Sequence, residues 1–339
     1  MNSTKSNTAA KPQIPETRLD ELREEALRTG RIRDSGIVPI KGPLAHKPAA
    51  TSYHGHPVLK PPTWTWQIPL YFFVGGLAGS SAVIALAAHV SGSFEVVRIA
   101  LWIAFAGALI SPTLLIADLG LPSRFLNMLR VFKLRSAMSI GSWTLVAFSS
   151  WVGLAVICRE LILVGYAYGF LILLEWVAEF FAALSGLILA SYTSVLLGVT
   201  AIPVWSENRK LLPSIFLAGG LGSATAVLEI AGFLLPATQL VGIIVSAVET
   251  AAAVIIEARG RYVDRPLREG RTGWLMRAGA VLAGPASLLI RVLWADSIGG
   301  RLVAASAFLV GALIGRYAWI AAGRVSSRDP QALFEIQRS

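Results

Sequence analysis

Residues 69–84, PLYFFVGGLAGSSAVI, return 144 positions later as residues 213–228, PSIFLAGGLGSATAVL. Pro69/Pro213, Phe72/Phe216, Gly75/Gly219, Gly76/Gly220, Leu77/Leu221, Ala82/Ala226 and Val83/Val227 are identical pairs. Each copy begins an apolar run, and four apolar runs separate the start of one copy from the start of the next. Both copies therefore enter a bilayer from the same side, as in a parallel repeat related by an axis along the membrane normal. This predicts an all-α integral membrane protein of eight transmembrane helices in two four-helix bundles, preceded by a polar arm. The divisions are an arm over 1–62, a first bundle over 63–205, a second over 206–323 and a tail over 324–339.

Composition supports that class. The chain of 339 residues is 55% hydrophobic and only 15% charged, which is polytopic membrane composition. Apolar segments at 66–90, 98–118, 141–159, 172–201, 211–235, 239–258, 274–291 and 302–322 approach or exceed the ~20 residues that cross a hydrocarbon core. A single cysteine, Cys158, excludes a disulfide framework and any cluster ligated by four thiolates within this chain. The arm has no apolar leader segment and reads as a basic, disordered extension with one helical stretch over Thr17–Arg28. His54 and His56 within it lack the third ligand that a metal centre needs.

The net charge of +10 reads as topology, with no nucleic-acid partner. Twenty-four Lys and Arg residues fall on the side that holds both termini, and four, Arg98, Arg159, Arg291 and Arg301, fall on the other. Basic residues concentrate on cytoplasmic loops, which puts arm and tail in the cytoplasm. Trp64, Trp66, Trp102, Trp143, Trp176, Trp205, Trp274 and Trp294 stand near span ends, where an interfacial aromatic belt would lie.

The second span runs out into Leu114–Lys133, LLIADLGLPSRFLNMLRVFK. Asp118 closes the span, Gly120 and Pro122 interrupt the helix, and Phe125, Met128, Leu129 and Phe132 recur at helical spacing among basic residues. Such a segment describes a short helix lying in the headgroup layer.

Five motifs occur in order: TWTWQIPLYFFVGGLAGSSAV (63–83), DLGLPSRFLNMLRVFK (118–133), SAMSIGSW (136–143), SYTSVLLGVTAIPVW (191–205) and RYAWIAAGRVSSRDP (316–330). Together they resemble the NrfD-type membrane subunits, the family of the polysulfide-reductase membrane anchor, from about Tyr53 to Pro330. The family's usual DLGRP and SPMS read differently here at Leu121 and Ala137. The resemblance implies a haem-free subunit of a bacterial or archaeal inner membrane that reacts with quinone or quinol (menaquinone or ubiquinone). It also implies a ferredoxin-like iron–sulfur partner subunit and a molybdopterin catalytic subunit, with no cluster in this chain and with membrane lipid around it.

Read on their own terms, the polar residues form two groups. At the arm-side end of the first bundle, Gln67, Tyr71, Asp118, Arg124 and Tyr192 converge if four antiparallel neighbours pack together. The resemblance implies a quinone site at that end with a fourth-span tyrosine as one oxygen ligand, and Tyr192 is the match. The second group is a set of intramembrane ionisable residues, His89, Glu175, Glu179, Glu229, Glu249, Glu257 and Arg316, mostly on faces of small residues. An isolated charge at mid-bilayer costs at least about 2.5–3.5 kcal/mol, so such acids require static pairing or proton traffic. With Arg316 taken as the one basic residue well inside a span, acids exceed bases and a proton relay is the expectation. His89 is the one histidine within the spans, which excludes a bis-histidine haem. Two alternatives remain beside the oxidoreductase subunit: a secondary transporter, which two parallel halves would suit, and a purely structural tether.

Overall fold

The computed structural model describes residues 61–118 and 136–338, together with 21, 24, 25, 59, 129, 130, 132 and 133. The chain divides into two units, Met1–His56 and Pro57–Ser339. In the first, Glu21, Glu24 and Glu25 are helical and exposed; the remainder of that unit, with His54 and His56, lies outside the described residues. Of the interfacial helix expected after Asp118, residues 119–128, with Arg124, also lie outside them.

Among the described residues of the second unit, eight helices are long and apolar enough to cross a membrane. They are α1 (Gln67–Val90), α2 (Phe94–Asp118), α3 (Ala137–Val164), α4 (Gly169–Gly198), α5 (Leu212–Ile230), α6 (Pro236–Arg259), α7 (Gly270–Leu293) and α8 (Ile298–Ser326). The boundaries follow local chemistry. The Ser136 hydroxyl caps α3 by accepting from the Ser139 N–H at 3.4 Å, and the Ser297 hydroxyl caps α8 by accepting from the Gly300 N–H at 3.2 Å. Gly165 ends α3 at φ 116°, a left-handed conformation that glycine adopts without a Cβ penalty. Prolines stand in the first turns of α5 and α6, where a missing N–H costs nothing.

These helices are apolar all round, and residue size decides which side is buried. On α4 the buried row contains Ala178, Ala182, Gly186 and Ala190, whereas Phe180, Leu184, Leu187 and Ile188 are exposed to lipid. Small faces let backbones approach, which is how helices associate where lipid is as apolar as leucine. Gly186 shows the tolerance: an added methyl would stand 2.6 Å from the Gly79 carbonyl oxygen of α1.

Packing closes two rings. In the first, α1 meets α2, α2 meets α3, α3 meets α4 and α4 returns to α1. In the second, α5–α6–α7–α8 close in the same order. The rings join through α1 against α5, and the flanking contacts α4–α5 and α8–α1 are equivalents under the repeat. Repeat-related glycines lie at the crossing: a methyl on Gly220 would be 2.8 Å from the Gly76 carbonyl oxygen. The internal twofold relation thus passes between the two copies of the motif.

One span is broken. Within α7, residues Leu282–Ala286 form a π-turn in which Gly284 adopts φ −92° and ψ −106° and Pro285 supplies no N–H. Its repeat equivalent, α3, is continuous. At the arm-side ends, the short helix Pro203–Glu207 tucks Trp205 beneath the spans. Trp205 is fully buried, donates to the Trp319 carbonyl at 2.9 Å and stacks on Trp64 with centroids 5.4 Å apart.

Candidate functional site

The arm-side end of the first bundle holds a cleft of about 70 Å³ lined by Trp64, Tyr71, Asp118, Met138, Gly141 and Tyr192, among others. That volume admits a few water molecules. Tyr71 reaches it from the first turns of α1, Asp118 from the last residue of α2, and Tyr192 from α4, two turns before its end. The structure therefore brings together three residues that lie 47 and 74 positions apart in sequence.

Each side chain is held differently. The Tyr192 hydroxyl donates to the Ala137 carbonyl at 2.5 Å, and its ring lies against Gly141, where any Cβ would collide with it. Asp118 Oδ1 accepts from the Thr65 N–H at 3.1 Å and from the Thr65 hydroxyl at 2.5 Å. That hydroxyl also contacts Gln67 Oε1, and its single proton serves one acceptor at a time. Gln67 stands beside the cleft rather than on its wall. Tyr71 is 3% exposed, yet its hydroxyl makes no hydrogen bond among the described residues. A buried phenol ordinarily finds a partner, so this one is a donor held ready inside the cleft. Gly141 and Met138 belong to the SAMSIGSW segment, and that motif was the signal for a fourth wall that residue chemistry alone did not supply.

The ionisable residues separate into discrete groups. On the far side of the first bundle, His89 Nδ1 meets Glu179 Oε2 at 2.5 Å, and Arg159 Nε pairs with Glu175 Oε1 at 2.7 Å. Arg159 Nη2 also lies 3.7 Å from Glu179 Oε1. His89 stacks on Trp176 with centroids 4.0 Å apart. One ligand atom each from His89, Glu175 and Glu179 falls within 4.8 Å of the others, a spacing usable by a metal ion. The Arg159 guanidinium already supplies the positive charge there, so the arrangement reads as an ion network.

In the second bundle, Glu229 accepts from Arg291 Nη1 at 3.0 Å, Arg291 Nη2 at 2.7 Å and Arg301 Nη2 at 3.0 Å. Glu249 and Arg316 flank Gly219, and Glu257 forms an exposed bridge to Arg277 at 2.6 Å. Two expectations need correction. Arg159, Arg291 and Arg301 were counted as loop charges on the far side, but all three are buried within α3, α7 and α8. Arg316 is consequently not the lone basic residue inside a span, and the apparent excess of acids disappears. The misreading arose because each arginine lies within a turn or two of a helix end, where hydropathy cannot separate a snorkelling cation from a buried one.

Comparison with known proteins gives one result of weight. The family model described as "Polysulphide reductase, NrfD" matches residues 54–326. No curated protein matches the chain.

Proposed function

The chain belongs to the NrfD family of membrane subunits of oxidoreductase complexes, and on that premise we propose that it is the quinol-reactive subunit of such a complex. It would exchange electrons with an iron–sulfur partner on its arm-side face. The observation that carries this reading is Tyr71, a buried residue that lines the arm-side cleft beside Asp118 and Tyr192 and whose hydroxyl makes no hydrogen bond among the described residues. A quinol head presents two oxygens, each able to donate and accept a hydrogen bond. Tyr71 and Tyr192 supply hydroxyls, and Asp118 supplies the carboxylate that receives a proton.

The protein's own part is to bind the head group, exclude bulk water and lead the proton away. Gly141 lets the Tyr192 ring lie against α3 and sets its hydroxyl near the cleft. Asp118 lies at the end of a span, and Thr65 and Gln67 connect it with the arm-side surface. The sole cysteine, Cys158, is buried in α3, and the one span histidine is engaged with Glu179. Both facts favour a haem-free subunit whose electron acceptor or donor is an iron–sulfur centre of a ferredoxin-like partner, itself paired with a molybdopterin catalytic subunit. A bacterial or archaeal inner membrane, with both termini cytoplasmic, fits the distribution of basic residues.

Tyr71→Phe is the cleanest test, because it removes a hydroxyl that makes no hydrogen bond among the described residues. The expected result is unchanged stability with quinol-dependent turnover of the assembled complex lowered about tenfold to a hundredfold, the worth of a hydrogen bond of about 1–3 kcal/mol. Asp118→Asn should act in the same direction. Unchanged turnover in both variants would place the quinol elsewhere.

A further inference from the structure

A larger cavity, of about 640 Å³, lies in the second bundle and takes no part in the site above. Its size falls within the several hundred Å³ of small-molecule sites. The break in α7 creates it. From Gly270 to Val281 that helix lies on α8, where a methyl on Gly311 would stand 2.7 Å from the Gly279 carbonyl oxygen. From the π-turn onward the helix packs against α6 as well as α8, and a methyl on Gly284 would stand 3.0 Å from the Thr250 nitrogen. The arm-side halves of α6 and α7 are thereby wedged apart. Val254 and Val281, both exposed, stand on the cavity's wall on either side of the gap. The Glu257–Arg277 bridge spans the gap at its arm-side rim.

The wall is apolar, built from Ile215, Ala252, Ile256, Met276, Ala283 and Trp319, but two charged groups converge on it. Arg316 is 4% exposed, donates to the Phe216 carbonyl at 2.8 Å and leaves its Nε without an acceptor. Glu249 makes no hydrogen bond among the described residues and faces the cavity. Gly219 leaves space for both, since an added methyl would stand 2.7 Å from Arg316 Nη2 and 3.2 Å from Glu249 Oε1. Under the internal repeat, Ile215 occupies the position that Tyr71 holds in the first-bundle cleft.

We infer that this wedge is a second ligand site, taking one isoprenoid quinol from the bilayer with its head between Glu249 and Arg316. Its tail would leave between Val254 and Val281. The pair asks for an uncharged group that donates to a carboxylate and accepts from a guanidinium, and a hydroxyl on a ring does both. A phospholipid would bring a second negative charge beside Glu249, and its head belongs at the level of the Glu257–Arg277 rim. Water alone suits an apolar wall of this extent poorly. The inference takes only the class of ligand from the proposed function; its residues are separate, and no electron transfer is assigned to it.

Photolabelling of the complete complex in nanodiscs with an azido-quinone, followed by peptide mapping, tests it. Two labelled regions are expected, one at the cleft of Tyr71 and Tyr192 and one on residues 249–258 and 276–285. Excess unlabelled quinol should compete for both, and excess phospholipid for neither. Gly315→Phe should fill the wedge, because Gly315 lines the cavity and a Cβ there meets nothing within 4 Å. It should lower labelling of α6 and α7 about tenfold or more and leave the first region unchanged; Gly315→Leu is the milder variant if the larger ring prevents assembly. Absence of the second label, its persistence in both variants, or its loss to phospholipid overturns the inference. Loss of the first label alone would overturn the proposed function and leave the second site standing.

Discussion

Replacing Glu229 by Gln should be among the most damaging single changes in the second bundle, by an amount that the structure bounds. The carboxylate is fully buried and receives three hydrogen bonds from two buried guanidiniums. Arg301 keeps other acceptors: the Leu234 and Leu235 carbonyls, each at 2.8 Å, and the Thr238 hydroxyl at 3.0 Å. Arg291 keeps only Gln239 Oε1 at 3.1 Å. The loss therefore falls on Arg291. Breaking a buried ion pair costs about 3–5 kcal/mol, and the glutamine carbonyl restores one bond of about 1 kcal/mol, which leaves about 2–4 kcal/mol. Reversible unfolding in mixed micelles, followed by tryptophan emission, measures it. The double variant Glu229→Gln/Arg291→Gln should lose less than the sum of its parts, with a coupling of about 1–3 kcal/mol. Additive losses, or a Glu229→Gln change below about 0.5 kcal/mol, would refute the view that this pair fastens α5 to α7. Glu257→Gln, on the exposed bridge, serves as the control and should leave unfolding unaltered.

Two further outcomes follow from the packing. Trp205→Ala removes a fully buried ring that stacks on Trp64 and fills the space beside Gly323; it should cost about 3–5 kcal/mol in the same unfolding assay. Reporter fusions at Ser339 and Ser93 should sit on opposite sides of the membrane with Ser339 inside, and an external signal at Ser339 would refute the orientation drawn from the basic residues.

Much of the architecture was legible because a bilayer leaves few options. Runs of about twenty apolar residues must be helices, and the eight expected spans differ from the observed ones by six residues or fewer at any end. The repeat at 69–84 and 213–228 also located the seam between the rings, since paired glycines mark close backbone approach. Within the candidate site, Asp118 stood out because its motif broke the apolar pattern, and Tyr192 because the family resemblance implies a fourth-span tyrosine. Tyr71 was harder to separate from an interfacial belt residue, and only its missing hydrogen bond distinguishes it. The π-turn was written in Gly284-Pro285, yet sequence alone could not say that the break would open a wedge rather than a kink. Least legible were the arginines, because burial near a helix end depends on a carboxylate from another helix.

Placing those arginines narrows the case for a proton route through the acids. Glu175 and Glu179 share Arg159 and His89, and Glu229 is held between Arg291 and Arg301. Each is fastened by a partner that cannot leave without exposing a buried charge. Glu257 lies on the exposed rim, already bridged to Arg277. A relay needs a group free to turn between a donor and an acceptor. Of the five glutamates, only Glu249 makes neither a hydrogen bond nor an ion pair among the described residues and borders a space that could admit water or a ligand. Glu249→Gln keeps the volume and removes the titration. If protons pass through the second bundle, this variant should slow their uptake in proteoliposomes while quinol oxidation continues at a reduced rate. Glu179→Gln should instead act on stability, because it breaks the His89 contact. Should Glu249→Gln leave uptake and turnover intact, the second bundle carries no proton through this residue.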